Sequence, residues 1–583
     1  MNNIAAQIKA NIPAVPRPRG VKLPAWAQRI NEHLTTTERV LLAWLVVLLI
    51  ISGILTVVGL VERNTRLIAE DGGTYSEAAV GQPRFINPVL AGTNDIDLDI
   101  SRLVYSSLFK YDNELALQND LATGYEISED GKTYTVTVRS DVAWHDGESL
   151  TAEDVVFTIR SIQTPEYGSP LATDFSGVVV ESPDNSTVVF TLEEPYAPFL
   201  SSLTVGIMPQ HVWEDIAPAN AALAEQTLRP VGSGPYQFAE LKTRRKTGEV
   251  TEFVLARNEG YYGSHQYLDG ISFTFFPTHE DALKAFAAGE VDGFGFLPLQ
   301  LRDRADRSSA QVHRLLLPQY FGLFFNQENN PLLADSGIRN ALSLAIDREA
   351  IVDEALKGEG ESLHIPIPPG VFAFNEELGE PTVNIEAAIQ NLEDAGWHDN
   401  DQDGVREKDD VRLHIKITTT DWPEYVRTVE MVQQQWLEIG VETEIEHYGP
   451  GTIQQTIIGP RDFEVLLFGE ILRAEPDPYP FWHSKQVEAP GLNFSKFANK
   501  DVDKLLEDAR TTTDQEARRE KYKEFQGIIL DLKPAIILYR PYYLFIATDK
   551  VRGIDANHAA LAAGRFNNIE EWHVNVKRVW QSK

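Results

Sequence analysis

Within residues 399–410 the chain reads Asp399-Asn-Asp401-Gln-Asp403-Gly404-Val405-Arg-Glu-Lys-Asp-Asp410. Carboxylates at positions 1, 3 and 5, a glycine at 6 and a carboxylate at 12 match the ligand spacing of a calcium loop. Asp399, Asp401, Asp403 and Asp410 would supply side-chain oxygens and Val405 its backbone carbonyl. Asp410 stands where the longer, bidentate Glu is usual, and Val411–Thr419 alternates like a strand, whereas an EF-hand is flanked by helices. The pattern therefore carries two readings, a structural Ca2+ loop and an acidic turn that uses Asp and Gly for their backbone geometry. No other cofactor is required by any motif.

The usual catalytic arrangements are missing from the sequence. G-x-S-x-G, H-E-x-x-H, a Walker A loop and G-x-G-x-x-G do not occur. Val231-Gly-Ser-Gly-Pro235 has glycines enough for a phosphate cradle, but Pro235 lacks an N–H and no Lys follows, so a tight turn into a strand is expected. The absence of cysteine excludes disulfides, thiolate metal sites and a thiol nucleophile. Glycoside hydrolysis needs a pair of carboxylates, and 86 Asp+Glu supply too many pairs for spacing to select one. The net charge of −34 argues against a nucleic-acid partner, which requires a basic face.

The elements that must position any site are mixed helix and strand. Asp130-Gly131 lies between Glu126–Glu129 and the alternating Lys132–Arg139, and Pro183-Asp184-Asn185 joins Gly177–Ser182 to Ser186–Leu192; both read as β-hairpins. Thr151-Ala-Glu-Asp154 opens a helix with a capping-box pattern. Leu283, Phe286 and Ala287 mark a helix over 279–288, stopped by Gly289. Ile338, Ala341, Leu342, Ala345 and Ile346 form one apolar helical face, and Asp347 caps the next helix. Helices are also expected over 501–509 and 514–532.

Val40–Val61 is a 22-residue run without charge. As a helix it spans roughly 33 Å, enough for a hydrocarbon core of about 30 Å. Six Lys/Arg and two Asp/Glu precede its end, which leaves −38 for the rest of the chain. The basic side is expected in the cytoplasm. The expected arrangement is a cytoplasmic tail over 1–39, a single transmembrane anchor over 40–61 and an extracellular or periplasmic body.

Along that body, several blocks occur in a consistent order. Phe85-Ile-Asn-Pro88, Leu103–Asp112, Asp130-Gly-Lys-Thr-Tyr134, Trp144-His-Asp-Gly147, Leu150–Phe157, Pro230–Tyr236, Ala288–Asp292, Arg339–Asp347 and Asp477–Trp482 carry the signal. Together they resemble the family 5 extracytoplasmic solute-binding proteins of ABC transporters, the peptide- and nickel-binding group. The resemblance implies an α/β, two-lobed periplasmic-binding-protein-like fold of type II with an extra subdomain in lobe I. Lobe I would take 71–115, 230–320 and 541–583; the extra subdomain 116–229; lobe II 321–540. Tyr320–Asn326 and Ile536–Arg540 would be crossover strands. Many relatives are lipoproteins held by an N-terminal Cys; with no cysteine in this chain, the apolar run is expected to remain as the tether.

The function implied is a membrane-anchored receptor, with no enzymatic activity, for a small-molecule solute such as a short peptide, delivering it to ABC permease subunits by lobe closure. Oligopeptide binders of the family hold the peptide amine on an Asp in a loop that here reads Phe468–Pro476; Leu472 stands four residues before Pro476, so Glu470, Glu475 or Asp477 would have to substitute. By residue type and by this resemblance, the candidate ligand residues are Glu77, Asn326, Trp422, Gly469, Glu470, Tyr479 and Trp482. Each has a bland counterpart as a cap, a turn or a core side chain. A carboxylate-dependent glycoside hydrolase and a ligand sensor on the same fold are the alternatives.

Overall fold

The computed structural model describes residues 35–305 and 310–580. The expected cytoplasmic tail over 1–39 lies almost wholly outside the described residues.

The chain divides into two units, one of residues 1–68 with 576–583 and one of 69–575. In the first, a helix Thr36–Asn64 encloses the apolar run. A capping box opens it, with Glu38 accepting from the Thr35 backbone N–H. Its most apolar 18-residue window has a mean hydropathy of 2.9, and none of it is buried. The helix runs into a strand Thr65–Glu70 that pairs with Asn575–Trp580.

The second unit is built on two large mixed sheets and one small antiparallel sheet. In the seven-stranded sheet the order is Ala310–Leu315, Tyr543–Thr548, Gly293–Phe294, Thr74–Val80, Gly270–Phe276, Val250–Arg257, Tyr236–Thr243. Thr74–Val80 is central and runs parallel to both neighbours, with Glu77 opposite Phe273 and Gly293. The six-stranded sheet runs Gly360–Ser362, Ala535–Pro541, Gln319–Phe325, Val465–Ile471, His414–Thr420, Glu442–Tyr448. The chain passes between these sheets twice, over 316–318 and at Tyr542. A four-stranded sheet, Ala122–Ile127, Thr133–Val138, Thr187–Thr191, Val179–Asp184 in spatial order, stands apart and is wholly antiparallel.

Local chemistry explains the elements. Both hairpins form, with Ile127 opposite Tyr134 and Asp184 opposite Thr187. The helix Ala152–Gln163 begins with the Thr151/Asp154 capping box. Asp335, Asp347 and Asp514 each accept a backbone N–H at the start of a helix, and Gly289 ends His279–Ala288 in the left-handed conformation. The face Ile338, Ala341, Leu342, Ala345, Ile346 is almost completely buried. Burying each such large aliphatic side chain contributes roughly 1.5–3 kcal/mol.

Candidate functional site

The helix Asp95–Val104 is capped by Asn94 and buries Ile96, Ile100, Leu103 and Val104 against the seven-stranded sheet. That face-down packing leaves Leu98, Ser101 and Arg102 on the wall of a cavity of about 370 Å³. The wall opposite comes from two short elements beside the four-stranded sheet, the turn Ala172–Phe175 and the helix Phe199–Ser202, which bring Asp174, Ser201 and Ser202. The third wall is the loop that follows Val465–Ile471, with Leu472, Arg473 and Ala474. Three parts of the body thus meet around one chamber. A neighbouring cavity of about 480 Å³ shares Asp174, Leu472 and Arg473 with it, and a third of about 790 Å³ shares Ser201 and Ala474.

The loop is pinned where it leaves the sheet by the Leu472 N–H, which donates to Pro318 O at 2.7 Å. Arg473 Nη1 donates to Ser202 Oγ at 3.1 Å and Nη2 to Asp174. Glu475 is held by Arg518, and burial keeps its carboxyl above the usual range against that cation's pull. Asp477 takes the Arg510 guanidinium on both oxygens, with Nη2 at 2.7 Å, and accepts the Tyr196 hydroxyl at 3.2 Å. The Ala197 N–H donates to Arg510 O at 2.7 Å. These bonds join the region of the four-stranded sheet to that of the six-stranded sheet.

Glu470 and Trp482 come together away from this wall. Both are buried, and Tyr320 links them: Trp482 Nε1 donates to the Tyr320 hydroxyl at 3.2 Å, and that hydroxyl donates to Glu470. Burial pushes the Glu470 carboxyl well above its ordinary value. Gly469 packs so closely that a Cβ would lie 2.6 Å from the Phe321 ring. Tyr479 carries the Arg510 guanidinium 4.0 Å above its ring and stacks on His483.

The other candidates lie elsewhere. Glu77 is buried on its central strand, where it accepts from Arg565 Nη2 at 2.6 Å and from the Tyr75 hydroxyl at 2.7 Å. Asn326 is fully buried; its Nδ2 donates to Arg461 O and its Oδ1 accepts from the Glu328 N–H, tying the turn after Gln319–Phe325. Trp422 precedes the helix Pro423–Leu437 and lines a separate cavity of about 220 Å³ with Gln319, Phe321 and Tyr542, beside the two chain crossings.

In the acidic loop, carboxylate oxygens of Asp399, Asp401 and Asp403 lie within 4.8 Å of one another, all exposed. Asp399 accepts from the Gly404 N–H, Asp403 from the Val405 N–H and from Arg412 Nη1 at 2.8 Å. Asp410 sits at φ 63° in the turn between Glu407–Lys408 and Val411–Arg412. The Val405 side chain is buried.

Two large mixed sheets joined by a double crossing, with a small-molecule chamber where the parts meet, define a binding protein of the two-lobed periplasmic type. The sequence profile of the bacterial extracellular solute-binding proteins, family 5 Middle, matches residues 116–489, and the chain belongs to that family. It is 28% identical over 519 residues to the oligopeptide-binding protein AppA of Bacillus subtilis, covering 86% of this chain and 92% of that protein. It is 27% identical over 490 residues to the dipeptide-binding protein of Escherichia coli, covering 79% and 87%. The solved structure of Bacillus subtilis AppA with a nonapeptide superposes with a TM-score of 0.68 at 27% identity, over 87% of this chain and 100% of that one. Campylobacter jejuni NikZ with Ni(L-His) gives 0.69 at 27%, over 86% and 99%. The family is one of extracytoplasmic receptors, not of enzymes, and has no general cofactor requirement. This favours the receptor over the glycoside hydrolase.

Arg473 and Asp174 were not among the residues singled out from sequence. The block Phe468–Pro476 locates the loop in the sequence, but the carboxylates Glu470, Glu475 and Asp477 are engaged with distant partners, and the charge the loop turns to the chamber is that of Arg473.

Proposed function

We propose that the chain is a membrane-tethered receptor for short peptides, which closes two lobes over its ligand and delivers it to the permease of an ABC importer. The observation that carries this reading is the chamber of about 370 Å³, a size suited to a small ligand, lined from all three parts of the body. The peptide-binding names of the similar proteins from Bacillus subtilis and Escherichia coli support the ligand class. In this reading lobe I is 71–115, 230–320 and 541–583, the subdomain is 116–229 and lobe II is 321–540. Hinge motion belongs at the crossings, 316–318 and Tyr542, next to the cavity that Trp422 lines. Gly469, Glu470, Tyr479 and Trp482 then shape and brace the ligand-facing loop, while Glu77 and Asn326 act through packing. Native mass spectrometry of the gently purified chain tests the reading: a bound peptide mass, restored after stripping by a di- to tetrapeptide pool, is expected. A chain that carries and takes up none would overturn it.

The helix Thr36–Asn64 serves as the tether, supported by its length and its exposed apolar surface. The loop Asp399–Asp410 keeps its two readings, which calcium titration calorimetry separates: heat that disappears in Asp401→Ala marks a Ca2+ site, and no heat leaves a turn.

A further inference from the structure

The loop after Val465–Ile471 holds acidic side chains, and an ammonium ligand group would seem their natural partner. Each is already engaged: Glu470 with Tyr320 in the core, Glu475 with Arg518, and Asp477 with Arg510 and Tyr196. What the loop turns toward the chamber is Arg473. Its side chain keeps 41% of its surface accessible between the surrounding walls, and its partner Asp174 keeps 24%. A second guanidinium, Arg102, stands on the facing helix with Nη2 donating to Asn567 Oδ1 at 3.1 Å. Among the described residues, the charged side chains lining the chamber are therefore Arg102, Arg473 and Asp174, a local excess of one positive charge in a chain whose total is −34.

We propose that Arg473 receives a carboxylate of the ligand, which takes the place of Asp174 on the guanidinium. This rests on the receptor reading and fixes which end of the ligand the chamber selects. The chemistry is that of a planar fork meeting a planar carboxylate, stronger than a neutral hydrogen bond and more directional than a lysine contact. Ser202, already bonded to Nη1, holds the fork in the plane it needs. The Arg473–Asp174 pair also lines both the cavity of about 370 Å³ and that of about 480 Å³, so a ligand held on Arg473 has space on either side.

Isothermal titration on the detergent-solubilised full chain tests this, with a pool of di- and tripeptides bearing free carboxylates and the same pool amidated at the C-terminus. The free-acid pool is expected to bind at least about tenfold more tightly, the size of one charge-assisted hydrogen bond. Arg473→Met should abolish that preference. Asp174→Asn should tighten free-acid binding, a gain that a misfolded variant cannot produce. Equal affinity for the two pools, or a preference that survives in Arg473→Met, overturns the carboxylate assignment and leaves the receptor standing. Binding of neither pool overturns the peptide receptor itself.

Discussion

Arg565 is fully buried and surrounded by acid: its Nη1 and Nη2 meet the two oxygens of Asp99 at 2.6 Å each, and Nη2 meets Glu77 at the same distance. One cation thus serves two carboxylates, and burial pushes Asp99 up to about 6 in spite of it. Such a group does little for net stability as a whole, but removing one partner leaves uncompensated charge inside. Arg565→Leu is expected to destabilise the chain by about 3–5 kcal/mol, read as a lower urea midpoint. A midpoint within error of the native chain would mean that the acids find another partner or are neutral in the fold. Glu77, on the strand Thr74–Val80, is a candidate through the family resemblance, but Arg565 lies 488 residues further on, and nothing local announces the pair. The same holds for Arg473 and Asp174, 299 residues apart. Among 86 acidic residues, spacing cannot say which carboxylates will be matched by a distant arginine and which will face a ligand.

At the scale of elements the turn at 232–234 shows what a glycine is for. A Cβ on Gly232 would stand 2.0 Å from Val104 O, and one on Gly234 2.6 Å from Leu103 O, so the turn lies directly on the end of the helix Asp95–Val104 that lines the chamber. His145 holds it there: the His145 N–H donates to Gly232 O at 2.8 Å, the Gly232 N–H donates to Nδ1 at 3.1 Å, and Nε2 lies 3.1 Å from Gly234 O. Burial lowers the imidazole to about 4, against the pull of the Gly234 carbonyl. An unfolded histidine titrates near 6.5, so between about pH 6.5 and 4 the unfolded chain binds a proton that the native one refuses, and stability is lost as the pH falls through that window. Asp99 acts oppositely: raised from 3.8 to about 6, it binds its proton first in the native state, so acidification through that window favours the fold. The difference between the native chain and His145→Gln therefore isolates the histidine. The thermal midpoint of the variant should decline less on going from pH 7 to 5, and parallel declines would rule out the assignment. Capping boxes, hairpin turns and apolar faces were legible in the sequence because their partners lie within a few residues. The turn at 231–235 was legible as a turn, but its clamp was not, because His145 is 87 residues away from Gly232.

For the molecule as a whole, the proposed tether implies that a strongly acidic body is held at a membrane. The charge partition, +4 up to Val61 and −38 beyond, opposes electrostatic attachment to anionic lipid. In the tethered reading the attachment is hydrophobic, and the helix Thr36–Asn64 has the length and the exposed apolar surface for it. Electrostatic and hydrophobic attachment differ in their response to salt. Screening shortens the Debye length from about 10 Å at 0.1 M to about 3 Å at 1 M and releases surface-bound proteins, but leaves an inserted helix in place. The full chain is accordingly expected to sediment with membranes, to stay there through washes in molar salt and in alkaline carbonate, and to be released only by detergent. Deletion of 36–61 should move the chain to the soluble fraction with its peptide binding intact, since the chamber is formed entirely by residues of the unit 69–575. Removal by a signal peptidase would give a different result, a shorter mature protein whose N-terminal sequence begins at or beyond the end of the apolar run. Recovery of that species as the main form would overturn the tether.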